Sequence, residues 1–314
     1  MAKLPFFSVI IPTHNRPVQL THCLAALEAQ EYPVQRFEVI VVDDGSRMPL
    51  ADWVAPCRRP YQVKLLTQAR GGPAAARNAG AAAAQGEFLA FTDDDCLPAP
   101  GWLRALALRF LGSRHQAFGG RTINSLPDNP FAVTSHLIQD MVYAHYNADP
   151  HQARFFATNN LALPAGAFHR LGGFDPTFAT SEDRDLCDRC LHHGLGLAYA
   201  PNAVVYHAHR LTGPGFWWQH FNYGRGAFRF HQARVHRGSG PFRPEARFYQ
   251  TYLRLMLQKI IQVRDRPSLM LAALLIWWQV ANTAGFFGEW LEQLWRKAPR
   301  GEKSPKAVSE RIWG

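Results

Sequence analysis

Three short apolar runs, rich in β-branched and aromatic residues and each broken off by a polar or acidic cluster, constrain this chain more than any other feature. Phe7 to Ile11 stops at Pro12, Phe37 to Val42 runs into Asp43-Asp44-Gly45-Ser46, and Phe88 to Phe91 ends in Thr92-Asp93-Asp94-Asp95. A further strand is expected from Val63 to Thr67. Between the runs lie helical patterns: Val18 to Ala29, an alanine-rich stretch from Pro73 to Gln85, and Gly101 to Leu111. Pro73 suits a first helical turn, where its missing N–H costs little. Strands with no polar face need cover on both sides, so the pattern predicts an α/β layer with a mostly parallel sheet flanked by helices. In open sheets of this kind ligands bind beyond the carboxyl ends of the strands. All three polar clusters fall there.

The rest of the chain changes character. Residues 123–212 read as mixed, with a strand from Phe155 to Leu163, a Gly172-Gly173 turn, a helix from Glu182 to His193 and strands near Leu197 and Val204. Residues 121–155 show no readable period. From Pro214 the sequence turns helical, aromatic and basic, and from Pro267 to Gly288 it carries no charge. The expected division is therefore 1–122 as a ligand-binding α/β half, 123–212 as the second half of the same domain, 213–296 as a helical extension, and 297–314 as a polar tail.

Composition narrows the class. With 47% hydrophobic and 18% charged residues over 314 positions, the chain has material for a full core and does not read as disordered. The 34 basic against 24 acidic residues, a formal charge of +10, favour an anionic partner such as a nucleotide or a membrane face. Five scattered cysteines read as reduced thiols of an intracellular protein, not as a disulfide framework. The first eleven residues are too weakly apolar for a secretory signal.

Chemistry is expected first at the acidic triplet. On an extended segment Asp93 and Asp95 point the same way and can converge on one cation, where oxygen donors suit Mg2+ or Mn2+; the alternative is a helix N-cap or a solvated turn. Asp44 would accept from a base N–H or a ribose hydroxyl, or simply close a turn. Arg77, on the alanine-rich helix, either reaches the ligand edge or pairs with an acidic neighbour.

Taken in order, the segments Ser8-Val-Ile-Ile-Pro-Thr-His-Asn-Arg16, Val41-Val-Asp-Asp-Gly-Ser46, Gly72-Pro-Ala-Ala-Ala-Arg-Asn-Ala-Gly80 and Phe91-Thr-Asp-Asp-Asp95 resemble the family 2 glycosyltransferases. Gly172-Gly-Phe-Asp-Pro-Thr-Phe178, followed by Ser181-Glu-Asp-Arg-Asp-Leu186, is similar to that family's acceptor-side segment. The resemblance spans about residues 6–210. It implies a GT-A fold and an inverting, nucleotide-sugar-dependent transferase, with a UDP-sugar favoured and Mn2+ or Mg2+ as cofactor. It further implies Pro12, His14 and Asp44 at the base and ribose, and Arg77 near the pyrophosphate or bracing Asp44. Asp93 and Asp95, with Asp94 between them, would meet ribose and metal. Asp183 would be the general base, with Glu182 one register away, and His207 a further metal ligand. Asp175 would lie on the acceptor side.

Beyond that segment, Trp217, Trp218 and Tyr223 are candidates for an acceptor sugar site and Arg225 for the diphosphate, against a plain packing role. Cys187 and Cys190 with His192 and His193 lie within one helix and make a poor zinc site. No motif accompanies the basic aromatic stretch to suggest nucleic acid. The uncharged run, flanked by Lys259, Arg264 and Arg266, fits a helix lying in a membrane surface better than a span. The expected protein is peripheral at the cytoplasmic membrane face, acting on a glycan or lipid-linked acceptor. A catalytically silent nucleotide-sugar-binding subunit and a nucleotidyltransferase are the alternatives.

Overall fold

A computed structural model describes residues 3–54, 59–242, 250, 252–254 and 266–297. Cys57, Lys259, Arg264 and the tail beyond Lys297 lie outside the described residues. Eight strands form one sheet in the order β3-β2-β1-β4-β7-β6-β8-β5. They are β1 (Phe7–Thr13), β2 (Phe37–Asp44), β3 (Gln62–Gln68), β4 (Phe88–Phe91), β5 (Cys96–Pro98), β6 (Gln116–Asn124), β7 (Leu161–Pro164) and β8 (Gly196–His207). The helices with described bounds are α1 (Pro17–Glu28), α2 (Ala51–Val54), α3 (Pro73–Ala82), α4 (Trp102–Gly112), α5 (Pro130–Tyr146), α6 (Ala165–Arg170), α7 (Glu182–His192), α8 (Gly213–Arg237) and α9 (Arg266–Lys297).

The first four strands run parallel; β1, β2 and β4 are buried on both faces, and the half-exposed β3 closes the edge. Alternate residues of β1 feed opposite cores. Phe7, Val9 and Ile11 pack with Leu20, Leu24 and Leu27 of α1 and Trp102, Leu106 and Phe110 of α4. Ile10 faces the other way, into a cluster with Leu89, Phe91, Phe168, Phe174 and Leu186. The small residues of α3 let it sit close on the sheet: a Cβ on Gly80 would lie 2.6 Å from Ile10 Cγ2.

In four places the structure departs from the sequence reading. Pro12 lies inside β1 and does not stop it. β4 ends at Phe91, opposite Ile10, so beyond that point β1 has only β2 beside it and the missing N–H leaves no gap in the ladder. The strand expected from Phe155 begins only at Leu161, because Thr158–Asn160 form a buried 3-10 turn. There Asn160 accepts from Trp102 Nε1 at 2.9 Å and donates to the carbonyls of Arg121 and Ala203, at 3.1 and 2.9 Å. These bonds stitch β6 to β8 where their register slips after Gly120. The strands near Leu197 and Val204 are the single β8, carried across that slip. Finally, the unreadable 121–155 region contains the end of β6, from Arg121 to Asn124, and the whole of α5. Asn129 caps α5 by accepting from Ala132 N at 3.0 Å, but only Ala132, Thr134, Ile138 and Met141 of its residues are buried.

α8 and α9 pack along one another with their backbones nearly touching. A Cβ on Gly224 would fall 1.9 Å from the Asn282 carbonyl oxygen, and one on Gly285 1.8 Å from that of Phe221. With α5 they bury Ile138, Met141, Leu211, Phe216, Leu275 and Trp278 in a third core cluster.

Candidate functional site

The carboxyl ends of the parallel strands open into a cavity of about 860 Å³. Pro12, Thr13 and His14 enter it from the end of β1, Asp44 from β2, Arg77 from α3 and Asp93–Asp95 from the turn after β4. Glu182 and Asp183 enter from the start of α7, and His207 from the end of β8. Every residue expected at the donor side, the base and the metal thus borders one space.

The Asp44 carboxylate organises the loop leading into α3. It accepts from Gln68 Nε2 at 2.8 Å, Gly71 N at 2.7 Å and Gly72 N at 2.8 Å. The Asp44 carbonyl lies 2.9 Å from His14 Nδ1. A carbonyl only accepts, so that nitrogen bears the proton and Nε2 accepts from Asn15 Nδ2 at 2.8 Å. Of the alternatives expected for Arg77, the structure shows the ion pair with acidic neighbours, and these are not Asp44. Arg77, buried, donates to Asp93 Oδ1 at 2.6 Å and to Glu182 Oε1 at 2.9 Å.

The triplet is a turn, so the alternation expected for an extended segment fails and Asp93 parts from its neighbours. Asp94 accepts from Thr13 Oγ1 at 2.8 Å and, like Asp95, from Arg16 Nη1, at 3.2 and 3.0 Å. β5 begins opposite the end of β8, with Cys96 facing His207. That register sets Asp95, one residue earlier, against the histidine: Oδ1 to Nε2 is 3.2 Å. Burial, opposed by Arg16, pushes Asp94 up to about 6. Burial also works against the Asp95 carboxylate, but the hydrogen bond and charge of His207, with Arg16, hold it well below the usual range. Burial works against a charged His207, but the hydrogen bond and charge of Asp95, with the charge of Asp93, together raise it in return.

Asp95, Cys96 and His207 bring one ligand atom each within 4.8 Å, the only such trio among the described residues. Cys96 is fully buried, and burial raises its thiol far above the ordinary value, so it stays protonated. A carboxylate and an imidazole remain, a donor pair that suits Mn2+.

Across the cavity, Glu182 is buried and held by Arg77, while Asp183 is half-buried and accepts from the Arg184 backbone N–H at 2.8 Å. Burial, then the neighbouring Glu182 charge, push Asp183 up to about 7. Ser181, just ahead of the pair, holds a left-handed φ of 72°. Such a backbone is costly for a non-glycine residue and persists only where surroundings enforce it. Gly226 of α8 supplies that enclosure: a Cβ there would lie 2.3 Å from Thr180 Oγ1 and 2.6 Å from Ser181 Oγ.

Four of the candidate side chains lie outside the cavity, and those of α8 take the packing role that was the alternative. Asp175 is not in the cavity; its carboxylate accepts from the Thr177 N–H and hydroxyl at 2.9 and 2.7 Å. Trp217 packs against Trp277, with ring centroids 6.2 Å apart, and Trp218 is 58% exposed outside the cavity. Arg225 donates to Glu289 at 2.8 Å and pairs with Glu292, both on α9. Helix period places every third or fourth residue on a shared face, and the sequence alone does not say which face meets α9. Tyr223 does line the cavity, with His220, Trp278, Asn282, Phe286 and Phe287. Arg16 and Thr13 are the residues that sequence reasoning passed over; their place within the Ser8–Arg16 segment was the available signal. Cys187 and Cys190 are buried free thiols, Cys187 donating to the Phe156 carbonyl.

Comparison with known proteins agrees with this geometry. A sequence profile described as glycosyl transferase family 2 matches residues 8–174. Pre-mycofactocin glycosyltransferase of Mycobacterium tuberculosis is 33% identical over 211 residues, covering 65% of this chain and 43% of that protein. Glycosyltransferase AglE of Haloferax volcanii is 27% identical, covering 68% of this chain and 70% of AglE. The chain thus spans less than half of the mycobacterial relative's length. Among solved structures, mannosyltransferase PcManGT from Pyrobaculum calidifontis, in complex with GDP-Man and Mn2+, superposes with a TM-score of 0.67 at 19% identity, over 95% of this chain and 89% of that one. S. aureus TarS 1-349 gives 0.58 at 14% identity, over 92% and 91%.

Proposed function

The chain belongs to glycosyl transferase family 2 and shares the GT-A fold of such enzymes, and from that premise we propose that it moves a sugar from a nucleoside-diphosphate sugar to an acceptor hydroxyl with inversion. The observation that carries the reading is the pairing, across one cavity, of a strand-end acidic cluster with a carboxylate pushed up to about 7. A sugar hydroxyl is a poor nucleophile near neutral pH, and a base whose pKa lies close to the working pH is best placed to take its proton. Asp183 has that property; Glu182, held by Arg77, is its structural neighbour. As the acceptor oxygen bonds to the anomeric carbon, the proton passes to Asp183. The bond to the nucleoside diphosphate breaks on the opposite face, so one displacement inverts the centre.

On the donor side, Pro12, His14 and Asp44 form the nucleotide wall. Arg16, with 46% of its side chain exposed, has N–H groups to turn from Asp94 and Asp95 toward the diphosphate. Asp95 and His207 would hold a divalent cation, with Asp93 and Asp94 beside it. Bound there, Mn2+ or Mg2+ supplies positive charge against the leaving diphosphate. We favour a UDP-sugar, as TarS was solved with UDP, over a GDP-sugar, which PcManGT was solved with.

The acceptor end is apolar, with Trp278, Phe286 and Phe287 in its wall, which suits a lipid-linked or hydrophobic glycan acceptor. α9 from Ser268 to Arg296 is long and apolar enough to cross a membrane. Leu269, Ile276, Val280, Phe287 and Leu291 recur at helical spacing on its exposed face. Because Glu289 is buried against α8, the helix is better suited to lie on a cytoplasmic membrane surface, where the net charge of +10 favours anionic lipid.

The test is nucleoside diphosphate release from a panel of UDP- and GDP-sugars with Mn2+, Mg2+ or EDTA. Release from one donor, abolished by EDTA, is expected. Failure of the protein to bind or turn over any donor contradicts the reading.

A further inference from the structure

A second cavity, of about 370 Å³, opens beside the first, and Tyr146, Phe155 and Arg184 line both. Its wall holds three guanidinium groups stacked on two rings. The Cζ atoms of Arg154 and Arg184 lie 4.9 and 5.5 Å from the Tyr146 ring centroid. Those of Arg184 and Arg234 lie 4.6 and 5.5 Å from that of Phe230. Among the described residues one carboxylate, Asp188, lines the same cavity, and it is already engaged by Arg234 at 3.2 Å, by Arg237 and by the Ser239 hydroxyl. Arg184 donates to the Tyr146 hydroxyl at 3.1 Å, and its charge acts on the neighbouring Asp183 carboxylate without a close ion pair among the described residues.

A guanidinium sandwiched between aromatic faces is fixed in orientation, and its in-plane N–H groups remain available to an oxyanion. Arg184 also follows the base in sequence, and its own backbone N–H binds the Asp183 carboxylate. Arg184 thus follows the base directly in the chain and borders both the main cavity and the second one. We infer that this cavity is an anion subsite for the acceptor, taking a carboxylate or phosphate that the acceptor bears close to the hydroxyl it offers to Asp183. The inference rests on the transferase reading of the main cavity and adds the charge class of its acceptor.

The test uses the full chain saturated with UDP or GDP, whichever it binds, so that the donor diphosphate position is filled. Glucuronate and glucose 6-phosphate are the probes and glucose the neutral control, with affinities read by ligand-observed NMR. At least one anionic probe is expected to bind about tenfold more tightly than glucose, the order of one charge-assisted contact. Arg184→Gln should erase that preference. Arg154→Gln, at an exposed position, should reduce it and serves if Arg184→Gln does not fold. A preference for only one anionic probe identifies the oxyanion and supports the subsite. Equal binding of charged and neutral sugars, or a preference that survives both substitutions, overturns it. A wild type that binds neither nucleotide counts against the transferase reading instead, and the anionic preference is then read on the free protein.

Discussion

Arg77 and Arg225 each bridge two carboxylates, in regions built to opposite ends. Arg77 is buried, but its partner Asp93 keeps 28% of its side chain exposed to the cavity, and nearby Arg16 is held only at its tip by Asp94 and Asp95. Arg225 and Arg229 close on Glu289, which keeps 2%. The first set borders empty space lined by polar groups, so a ligand can exchange partners with it at modest cost. The second joins α8 to α9 outside the cavity: Glu289 is buried between the helices, and its two arginines are exposed to solvent for about a third of their side chains. An arginine–carboxylate pair is thus informative about function only when its surroundings leave room for a third party. That distinction separates Arg16 from Arg225, which look alike in sequence.

Removing the base should have the largest effect. Asp183→Asn is expected to lower transfer by about 10²- to 10⁴-fold while leaving donor affinity, read by calorimetry, unchanged. The wild-type rate should share this origin in its pH dependence. With Asp183 raised to about 7, protonation removes the base below that value, so the rate climbs about tenfold per pH unit and levels off above it. A flat profile from pH 5 to 8 would break the link between the cavity carboxylate and the chemistry.

The helical side of the comparison predicts losses of stability, not chemistry. Gly285→Ala should force the α8 and α9 backbones apart and lower stability by about 3 kcal/mol, the upper end for overpacking, seen as a lower Tm. Glu289→Gln should cost about 2 kcal/mol, since two arginines lose their charge partner yet each keeps about a third of its side chain exposed. Burial works against the Glu289 carboxylate, but hydrogen bonds from Arg229, Gln293 and Arg225 bring it from 4.5 down to about 2. A depressed folded value stabilises above the unfolded value and is lost as pH falls through the folded one. The Tm gap between wild type and Glu289→Gln should therefore be full above pH 4.5 and close as pH approaches 2.

How much of this was legible in the sequence follows the same division. β1, β2 and β4 read clearly because parallel strands buried on both faces leave an unbroken apolar signature. The ends of those strands, with Asp44, Arg77 and Asp93–Asp95, were readable from order and spacing. The direction of each carboxylate was not: that Asp93 faces Arg77 while Asp95 faces His207 depends on a turn and on the register between Cys96 and His207. α5 was missed because one side of it lines the cavity with Ser135, His136, Gln139 and Tyr146, which breaks the apolar period. The assignments of Trp217, Trp218 and Arg225 failed because the partner of α8 is α9, about 60 residues away in sequence.

The most direct test sets one arginine–carboxylate system against the other. Asp95→Asn and Arg225→Gln are purified in parallel, and nucleoside diphosphate release with Mn2+ is measured per folded molecule alongside Tm. The account predicts that Asp95→Asn stays folded and loses nearly all turnover. It predicts that Arg225→Gln melts at a lower temperature and turns over within about twofold of wild type, as expected for an interaction remote from the reacting atoms. An Arg225→Gln protein that is stable but inactive, or an Asp95→Asn protein that remains active, would contradict it.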